Sequence, residues 1–169
     1  KKSMRQSVNE SRLPPHADLI NQKESKLKPL QGKLLAGASC NLACRMCLPT
    51  FSSKVKKVWE IINRKPNTEA DELLNNDKYI LANRKYIDYI DITGGEPFLQ
   101  KKKKNLLKEL IVSNDNEHIT LHIVTNATRI DQSTIELLKK FKDVVLSISM
   151  DGIGKIQEYI RPGCSWKVL

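Results

Sequence analysis

Three cysteines lie close together in a chain that has only four. Cys40, Cys44 and Cys47 fall within eight residues. On a helix they would share one face and could be ordinary core thiols, but Gly37 before them and Pro49 after them argue against a regular helix. Thiolates are the usual ligands of iron–sulfur clusters. Three of them on one loop would hold three irons of a [4Fe–4S] cubane and leave the fourth iron open to a substrate or cofactor.

Zinc is the alternative metal that this segment could bind. Cys44 and Cys47 have the spacing of half a zinc site, which would need two more ligands at a similar spacing. The remaining residues that could supply them are Cys164 and three scattered histidines. The sequence therefore favours the cluster, and a non-catalytic metal-binding module stays open as an alternative.

A second segment has the composition of a ligand-binding turn. It runs Asp91-Ile92-Thr93-Gly94-Gly95-Glu96-Pro97 after a short apolar run. Glycines let the backbone approach a ligand closely, a glutamate can pair with an ammonium group, and proline stiffens the exit of the turn. The segment lacks the glycine–lysine pattern of a phosphate loop and the dinucleotide fingerprint. An ordinary turn with a surface glutamate is the alternative interpretation.

Short apolar runs alternate with amphipathic runs from residue 32 onward, which predicts a parallel sheet with crossover helices. We expect strands at 33–38, 86–92, 119–125 and 144–150, and helices around 55–62, 69–83, 106–111, 133–141 and 155–160. Ser133 and Glu136 have the spacing of a helix capping box. Residues 1–31 form a polar N-terminal extension or linker, and residues 32–169 form the core domain. Open doubly wound sheets and closed barrels both fit this series of about four β/α units.

Composition places limits on the class of protein. The chain has 169 residues, 40% hydrophobic and 28% charged, and no apolar run near the roughly 20 residues of a membrane span. These features predict one soluble domain with no membrane partner, in the reducing cytoplasm. The formal charge of +10 suggests an anionic partner, but the charges are dispersed and aromatic residues make up only 5%. We therefore do not expect a nucleic-acid partner.

The two motifs together resemble the radical S-adenosylmethionine (SAM) superfamily. Its signature is Cys-x-x-x-Cys-x-x-Cys after a first strand, here Cys40, Cys44 and Cys47, followed by Gly-Gly-Glu-Pro after a second strand. Met46 departs from the aromatic residue that often precedes the last cysteine. The resemblance implies a partial (β/α) TIM-like barrel of roughly six strands, so we expect a fragment truncated on its C-terminal side. It also implies that the strand edge binds the amino group of SAM, through residues Thr93, Gly94, Gly95, Glu96 and Pro97.

Two further segments extend the resemblance. Val124-Thr125-Asn126 follows the third strand, and Ser149-Met150-Asp151-Gly152 follows the fourth and resembles the Ser-x-Asp-Gly segment of the SPASM/twitch branch. By this resemblance Asn126 lies at the cofactor site, Ser149 contacts the ribose or carboxylate of SAM, and Arg161 meets its carboxylate. All the motifs follow the carboxyl ends of predicted strands, the rim where β/α barrels place their chemistry.

The activity that the resemblance implies is reductive cleavage of SAM by a [4Fe–4S] cluster. The resulting 5′-deoxyadenosyl radical would abstract hydrogen from a substrate, which in this branch is a peptide or protein. An electron donor such as a flavodoxin or ferredoxin would be the partner. An RNA-modifying radical SAM enzyme is an alternative suggested by the +10 charge. No catalytic residue can be named from the sequence.

Overall fold

Four parallel strands form one sheet whose order follows the chain. The computed structural model describes residues 31–64 and 76–169. Within them the order is β1-β2-β3-β4 and every neighbouring pair is parallel. A doubly wound sheet reverses its strand order at a switch point, and this sheet does not. The fold is therefore an α/β partial barrel, with strands β1 (Gln31–Leu35), β2 (Tyr89–Thr93), β3 (Thr120–Thr125) and β4 (Asp143–Ile148).

In the part of the chain that the structure describes, five helices connect and flank these strands. Short 3-10 turns join several of them, including one that follows the cysteine segment at Pro49–Phe51. No helix in the described ranges combines the length and the apolar character that a membrane span requires. The helices are α1 (Ser53–Ile61), α2 (Asp77–Asn83), α3 (Lys101–Val112), α4 (Gln132–Leu138) and α5 (Lys155–Ile160).

The two faces of the sheet have opposite character. Along β3, Leu121 and Ile123 are fully buried and pack against α2, α3 and α4, whereas His122 and Val124 are half-buried on the opposite face. Successive side chains of a strand point to opposite faces, so this alternation assigns each position. We call the face away from the helices the inner face. The core behind the sheet includes Leu34, Ile80, Ile87, Ile90, Ile92, Leu106, Leu107, Leu110, Leu138 and Phe141.

Strand positions agree with the sequence-based prediction, with shifts at the ends. β1 lies earlier than the predicted 33–38, because Gly37 has a φ of +81° and the chain leaves the strand before it. β2 begins at Tyr89 rather than at 86, because the residues before it form a 3-10 turn after α2. β4 ends at Ile148 rather than at 150. The order of strands and helices within the described residues is as predicted.

The predicted capping box of α4 is wrong. The N-cap is Asp131, whose Oδ1 accepts a hydrogen bond from the backbone N–H of Thr134 at 2.7 Å. Ser133 lies inside the helix and donates to Asp131 instead. With Asp131 as the N-cap, Thr134 is the third helical residue, so the helix begins two residues earlier than the Ser133-x-x-Glu136 spacing predicts.

Parts of two predictions fall outside the described residues. The predicted extension 1–31 lies outside them except for Gln31, which is the first residue of β1. The predicted helix 69–83 is described from residue 76 onward, where Asp77–Asn83 forms α2.

Candidate functional site

A cavity of about 390 Å³ lies at the carboxyl end of the sheet. Of the residues predicted for the site, all except Pro97 line it. Pro97 is buried and begins a 3-10 turn directly behind the rim. The lining consists of Cys40, Cys44, Met46, Cys47, Leu48, Phe51, Thr93, Gly94, Gly95, Glu96, Val124, Thr125, Asn126, Ser149 and Arg161.

The segment Cys40–Cys47, called here the cysteine loop, is irregular. It contains no helix, and a turn closes it where the N–H of Cys47 donates to the carbonyl of Cys44 at 3.0 Å. Leu42 is almost fully buried beside Cys44 and Cys164. The buried leucine fixes the middle of the loop while the cysteines on either side reach the cavity.

Side chains on two other segments anchor the first half of the cysteine loop. Asn41 donates from Nδ2 to Oγ1 of Thr128 at 2.8 Å and accepts at Oδ1 from Nδ2 of Asn126 at 3.1 Å. Ser52 caps α1, and its hydroxyl also donates to the carbonyl of Leu42 at 3.0 Å. The loop is thereby tied both to the end of β3 and to the start of α1.

The second half of the cysteine loop is anchored to the end of α5. The N–H groups of Ala43 and Arg45 donate to the carbonyls of Pro162 and Ile160 at 2.9 and 3.0 Å. Arg45 also donates from Nε to the carbonyl of Tyr159 at 2.8 Å, and its guanidinium lies 4.0 Å from the centre of the Tyr159 ring. A cation over an aromatic face adds to this anchoring.

The thiols of Cys40 and Cys44 accept from N–H donors of different sources. Cys40 Sγ accepts from the N–H of Leu42 at 3.4 Å and from Nδ2 of Asn126 at 3.8 Å. Cys44 Sγ accepts from Nη1 of Arg161 at 3.7 Å. Burial raises the pKa of Cys44, and the positive charge of Arg161 opposes that shift. Burial likewise raises the pKa of Cys47. Because a metal ligand must be a thiolate, the guanidinium favours the form of Cys44 that binds metal.

The metal donors that line the cavity include three thiols, Cys40, Cys44 and Cys47, which are of the kind that iron–sulfur clusters use. No three His, Cys, Asp or Glu side chains in the described ranges converge on one metal position. A zinc site requires such convergence, whereas each thiolate of a cubane binds a different iron. Cys164 is buried against Leu42 and Cys44 and does not line the cavity. The structure therefore gives the zinc alternative no support among the described residues.

Backbone contacts build the rim at the end of β2. The N–H of Gly95 donates to the carbonyl of Gly37 at 2.7 Å, and the N–H of Glu96 donates to the carbonyl of Ser39 at 2.9 Å. A Cβ on Gly95 would lie 2.4 Å from that Ser39 oxygen, and Gly94 has a φ of +121°. Both positions therefore require glycine, one for space and the other for its backbone conformation.

Glu96 joins the ends of β2 and β3. Its side chain is 0% exposed, and its carboxylate accepts from the hydroxyl of Thr125 at 2.7 Å, the N–H of Asn126 at 2.9 Å and the N–H of Phe98 at 3.3 Å. Three donors compensate for much of the cost of burying a carboxylate. Glu96 thus places its negative charge beneath the rim and fixes Asn126 beside the cysteine loop.

The turn after β4 closes the other side of the cavity. Gln157 on α5 is almost fully buried, accepts from the N–H of Asp151 at 2.9 Å and donates to the carbonyl of Ser149 at 3.3 Å. Arg161 donates from Nε to Asp151. Burial alone would lower the pKa of Arg161, but the hydrogen bond to Asp151 and the charge of Cys44 raise it. The guanidinium stays charged and faces the cavity.

Family comparison agrees with these features. The profile of the radical SAM superfamily matches residues 35–169. This chain belongs to the radical SAM superfamily. A search of curated proteins finds no match.

Solved structures with the radical SAM fold resemble the chain. Streptococcus suis SuiB bound to S-adenosylmethionine is 23% identical with a TM-score of 0.53, over 83% of this chain and 29% of that one. SuiB bound to precursor peptide SuiA is 24% identical with a TM-score of 0.50, over 79% and 27%. The chain thus spans less than a third of the length of these neighbours. At this identity the likeness shows the fold.

Several residues around the cavity have no clear signal in the sequence. The side chains of Asn41 and Thr128 are hydrogen-bonded to each other although the two residues lie 87 positions apart in the sequence. Gln157 lies on a helix that the sequence predicts well, but nothing local indicates that its amide faces inward. The sequence places Thr125 in a Thr-Asn pair after the third strand, and the structure shows that its hydroxyl donates to Glu96.

Proposed function

We propose that this chain is part of a radical SAM enzyme that holds a [4Fe–4S] cluster at Cys40, Cys44 and Cys47 and SAM beside it. One observation carries the proposal: the cysteine loop and the Gly-Gly-Glu-Pro turn line the same cavity. Its volume, about 390 Å³, lies within the usual range of about 300–1,000 Å³ for small-molecule sites.

The rim at the end of β2 would receive the amino group of SAM. Thr93, Gly94 and Gly95 line the cavity there, and the two glycines add no side chain that would obstruct a ligand. Glu96 adds a negative charge below the rim, which favours an ammonium group. Pro97 supports this turn from behind, in the 3-10 segment that follows.

The opposite side of the cavity would receive the remaining polar groups of SAM. Arg161 faces the cavity as a charged guanidinium held by Asp151, and guanidinium groups bind carboxylates well. Ser149 offers a hydroxyl for the ribose or carboxylate, and Asn126 lies between this side and the cysteine loop.

The chemistry requires an electron and a shielded site. When bound, the cluster supplies the electron that cleaves SAM to methionine and a 5′-deoxyadenosyl radical. Met46, Leu48, Phe51 and Val124 give the cavity an apolar lining. Such a lining excludes water and suppresses side reactions of reactive species.

The substrate that we propose is a peptide or protein, modified by hydrogen abstraction. The Ser149–Gly152 segment supports the SPASM/twitch branch, and the structural neighbour SuiB has been crystallised with its precursor peptide SuiA. A flavodoxin or ferredoxin would be the electron donor, in the cytoplasm, where thiols stay reduced.

Anaerobic reconstitution with iron and sulfide tests the proposal. We expect the reduced protein to give the electron paramagnetic resonance signal of a [4Fe–4S] cluster, and SAM to change that signal. The triple variant Cys40→Ala, Cys44→Ala, Cys47→Ala should lose the signal. Cys164→Ala is the matched control, because Cys164 is buried near the loop but does not line the cavity. A folded wild-type protein that binds zinc, or no iron at all, would contradict the proposal.

A further inference from the structure

Three polar side chains on the inner face form a connected row that the proposed SAM site does not use. Asp91 Oδ1 lies 2.8 Å from Nδ1 of His122, and Nε2 of His122 lies 2.7 Å from Oγ of Ser147. The three residues come from β2, β3 and β4 in turn. None of them lines the cavity.

The row lies one step below the cavity. Asp91 and Ser147 precede the cavity-lining residues Thr93 and Ser149 by two positions, so each pair shares the inner face. Two residues along a strand span about 6.6 Å. A molecule that enters the inner face beneath the cavity would therefore meet this row.

The hydrogen bonds have a defined direction. An ionised carboxylate can only accept, so Nδ1 of His122 carries the ring proton and donates it to Asp91. In the neutral imidazole Nε2 is then the acceptor, and the hydroxyl of Ser147 donates to it. A hydroxyl bonded to a histidine base that a carboxylate orients is the arrangement that activates a hydroxyl in enzymes.

The row remains accessible. The side chains of Asp91 and His122 are 26% and 24% exposed, and Ser147 is half-buried. On the β1 side, Nζ of Lys33 lies 4.0 Å from Oδ2 of Asp91 and forms an ion pair with it. Ser147 is therefore at the opposite end of the row from this ion pair. Ser147 is on β4, the edge strand of the sheet within the described residues.

We propose that Asp91, His122 and Ser147 form a proton-transfer site for a substrate group with an exchangeable proton, a hydroxyl or thiol of a peptide. The substrate proton passes to Oγ of Ser147 as the serine proton passes to Nε2 of His122. The electron pair of the broken O–H or S–H bond stays on the substrate atom, and Asp91 stabilises the imidazolium. No electron is exchanged and no further reactant is needed. The placement of substrate on this face rests on the proposed function.

The reactivity of Ser147 tests the site without the cluster, SAM or substrate. Diisopropyl fluorophosphate is added to the full chain, and modified serines are mapped by mass spectrometry. Oγ of Ser147 forms the bond to phosphorus, fluoride leaves, and His122 takes the serine proton. Ser149 is the internal control, because it follows on the same face without a histidine partner among its hydrogen bonds. We expect Ser147 to react about a hundredfold faster than Ser149, the lower range of general-base catalysis.

Three variants separate proton transfer from a purely structural role. His122→Gln should reduce the rate at Ser147 to that of Ser149, and Asp91→Asn, which keeps the side-chain size, should reduce it at least tenfold. Val145→Ala removes bulk from the same strand and face and should leave the rate unchanged. Circular dichroism checks that each variant is folded. If His122→Gln unfolds, the rate at Ser147 in Asp91→Asn decides whether the histidine acts as a base. Equal rates at Ser147 and Ser149 in wild type, or an unchanged rate in a folded Asp91→Asn or His122→Gln variant, would overturn the site. Failure of the proposed function would instead appear as a missing cluster signal.

Discussion

The two sides of the cavity are built in different ways. On the β2–β3 side, backbone atoms of the Gly-Gly-Glu-Pro turn contact Gly37 and Ser39 directly, and Glu96 is fully buried. On the β4–α5 side, large apolar residues are exposed, Ile153 by 73% and Tyr159 by 65%. Side chains of α5 hold that turn. One side is therefore held by several backbone contacts and the fully buried Glu96, whereas the other side has the backbone hydrogen bond from the N–H of Ser149 to the carbonyl of Thr125 and relies besides on side-chain contacts from Gln157 and Arg161.

This difference indicates where substitutions matter. A backbone-built site tolerates no added atom, because the atoms that would have to move belong to two strands at once. A side-chain-built site can adjust, because an exposed side chain can change rotamer at little cost. Matched substitutions on the two sides should therefore cost different amounts of unfolding free energy.

Gly95→Ala should have the largest effect on stability. Its Cβ would lie 2.4 Å from the carbonyl oxygen of Ser39, so the backbone must shift. Overpacking of this kind costs about 3 kcal/mol. Chemical denaturation of the full chain measures the loss in the free energy of unfolding.

Gly152→Ala is the matched control on the β4–α5 side. Its Cβ would lie 2.5 Å from Cγ2 of Ile156, a similar overlap. The contacted atoms of Ile156 belong to a side chain that is 61% exposed rather than to the backbone, so they can shift at less cost and the expected loss is about 1 kcal/mol. Neither glycine has a positive φ, so backbone conformation does not explain the difference. Equal losses at Gly95 and Gly152 would contradict the contrast between the two sides.

Glu96→Gln should have the next largest effect. The carboxylate accepts from Thr125 and Asn126, and an amide would set its own N–H₂ group against one of these donors. A buried donor left without an acceptor costs about 2 kcal/mol. In the Glu96→Gln background, Thr125→Val should cost less than it does in wild type, because the two residues share one hydrogen bond. Unfolding free energies of the four proteins in this cycle measure the coupling.

Asp151→Asn provides the corresponding change on the other side. Asp151 binds Arg161, but its side chain is 32% exposed, so water screens the pair. The expected loss is about 0.5 kcal/mol. A loss at Asp151 as large as that at Glu96 would show that both sides rely on buried charge.

The sequence predicts the parts of the fold that depend on local pattern. Short apolar runs located the four strands, and the helix predicted around residues 155–160 is observed as α5 at Lys155–Ile160. The end of β1 was misplaced because the apolar run continues through Ala36 while Gly37 turns the chain. Strand ends depend on pairing with a neighbour, and pairing is not visible in one segment.

The same distinction applies to the site. The cysteines and the Gly-Gly-Glu-Pro turn were predicted because their spacing is local. The row on the inner face was not, because contact between His122 and Ser147 depends on how β3 and β4 align, 25 residues apart in sequence. Lateral register between strands is a property of the whole sheet, which a linear motif does not encode.

We expect the smallest effect on stability at the cap of α4. This cap also tests how burial changes the contribution of a carboxylate that accepts hydrogen bonds. Asp131 accepts from the N–H of Thr134 at 2.7 Å and the hydroxyl of Ser133 at 2.8 Å. These donors are of the same kinds as those at Glu96, but the Asp131 side chain is 62% exposed. The side-chain hydrogen bonds from Thr134 and Ser133 lower the pKa of Asp131 from 3.8 to about 2.

Linkage fixes the direction of the pH effect. Because the folded pKa is below the unfolded one, the ionised cap stabilises the fold fully above about pH 4, and this contribution disappears as the pH falls toward about 2. Asp131→Asn keeps a capping oxygen but removes the titrating group, so its stability should fall less than that of wild type between pH 4 and 2. Thermal unfolding across that range measures the difference between the two proteins. Parallel curves for wild type and Asp131→Asn would mean that an exposed carboxylate with the same kinds of donors as Glu96 contributes no charge-dependent stability, and that burial alone distinguishes the two.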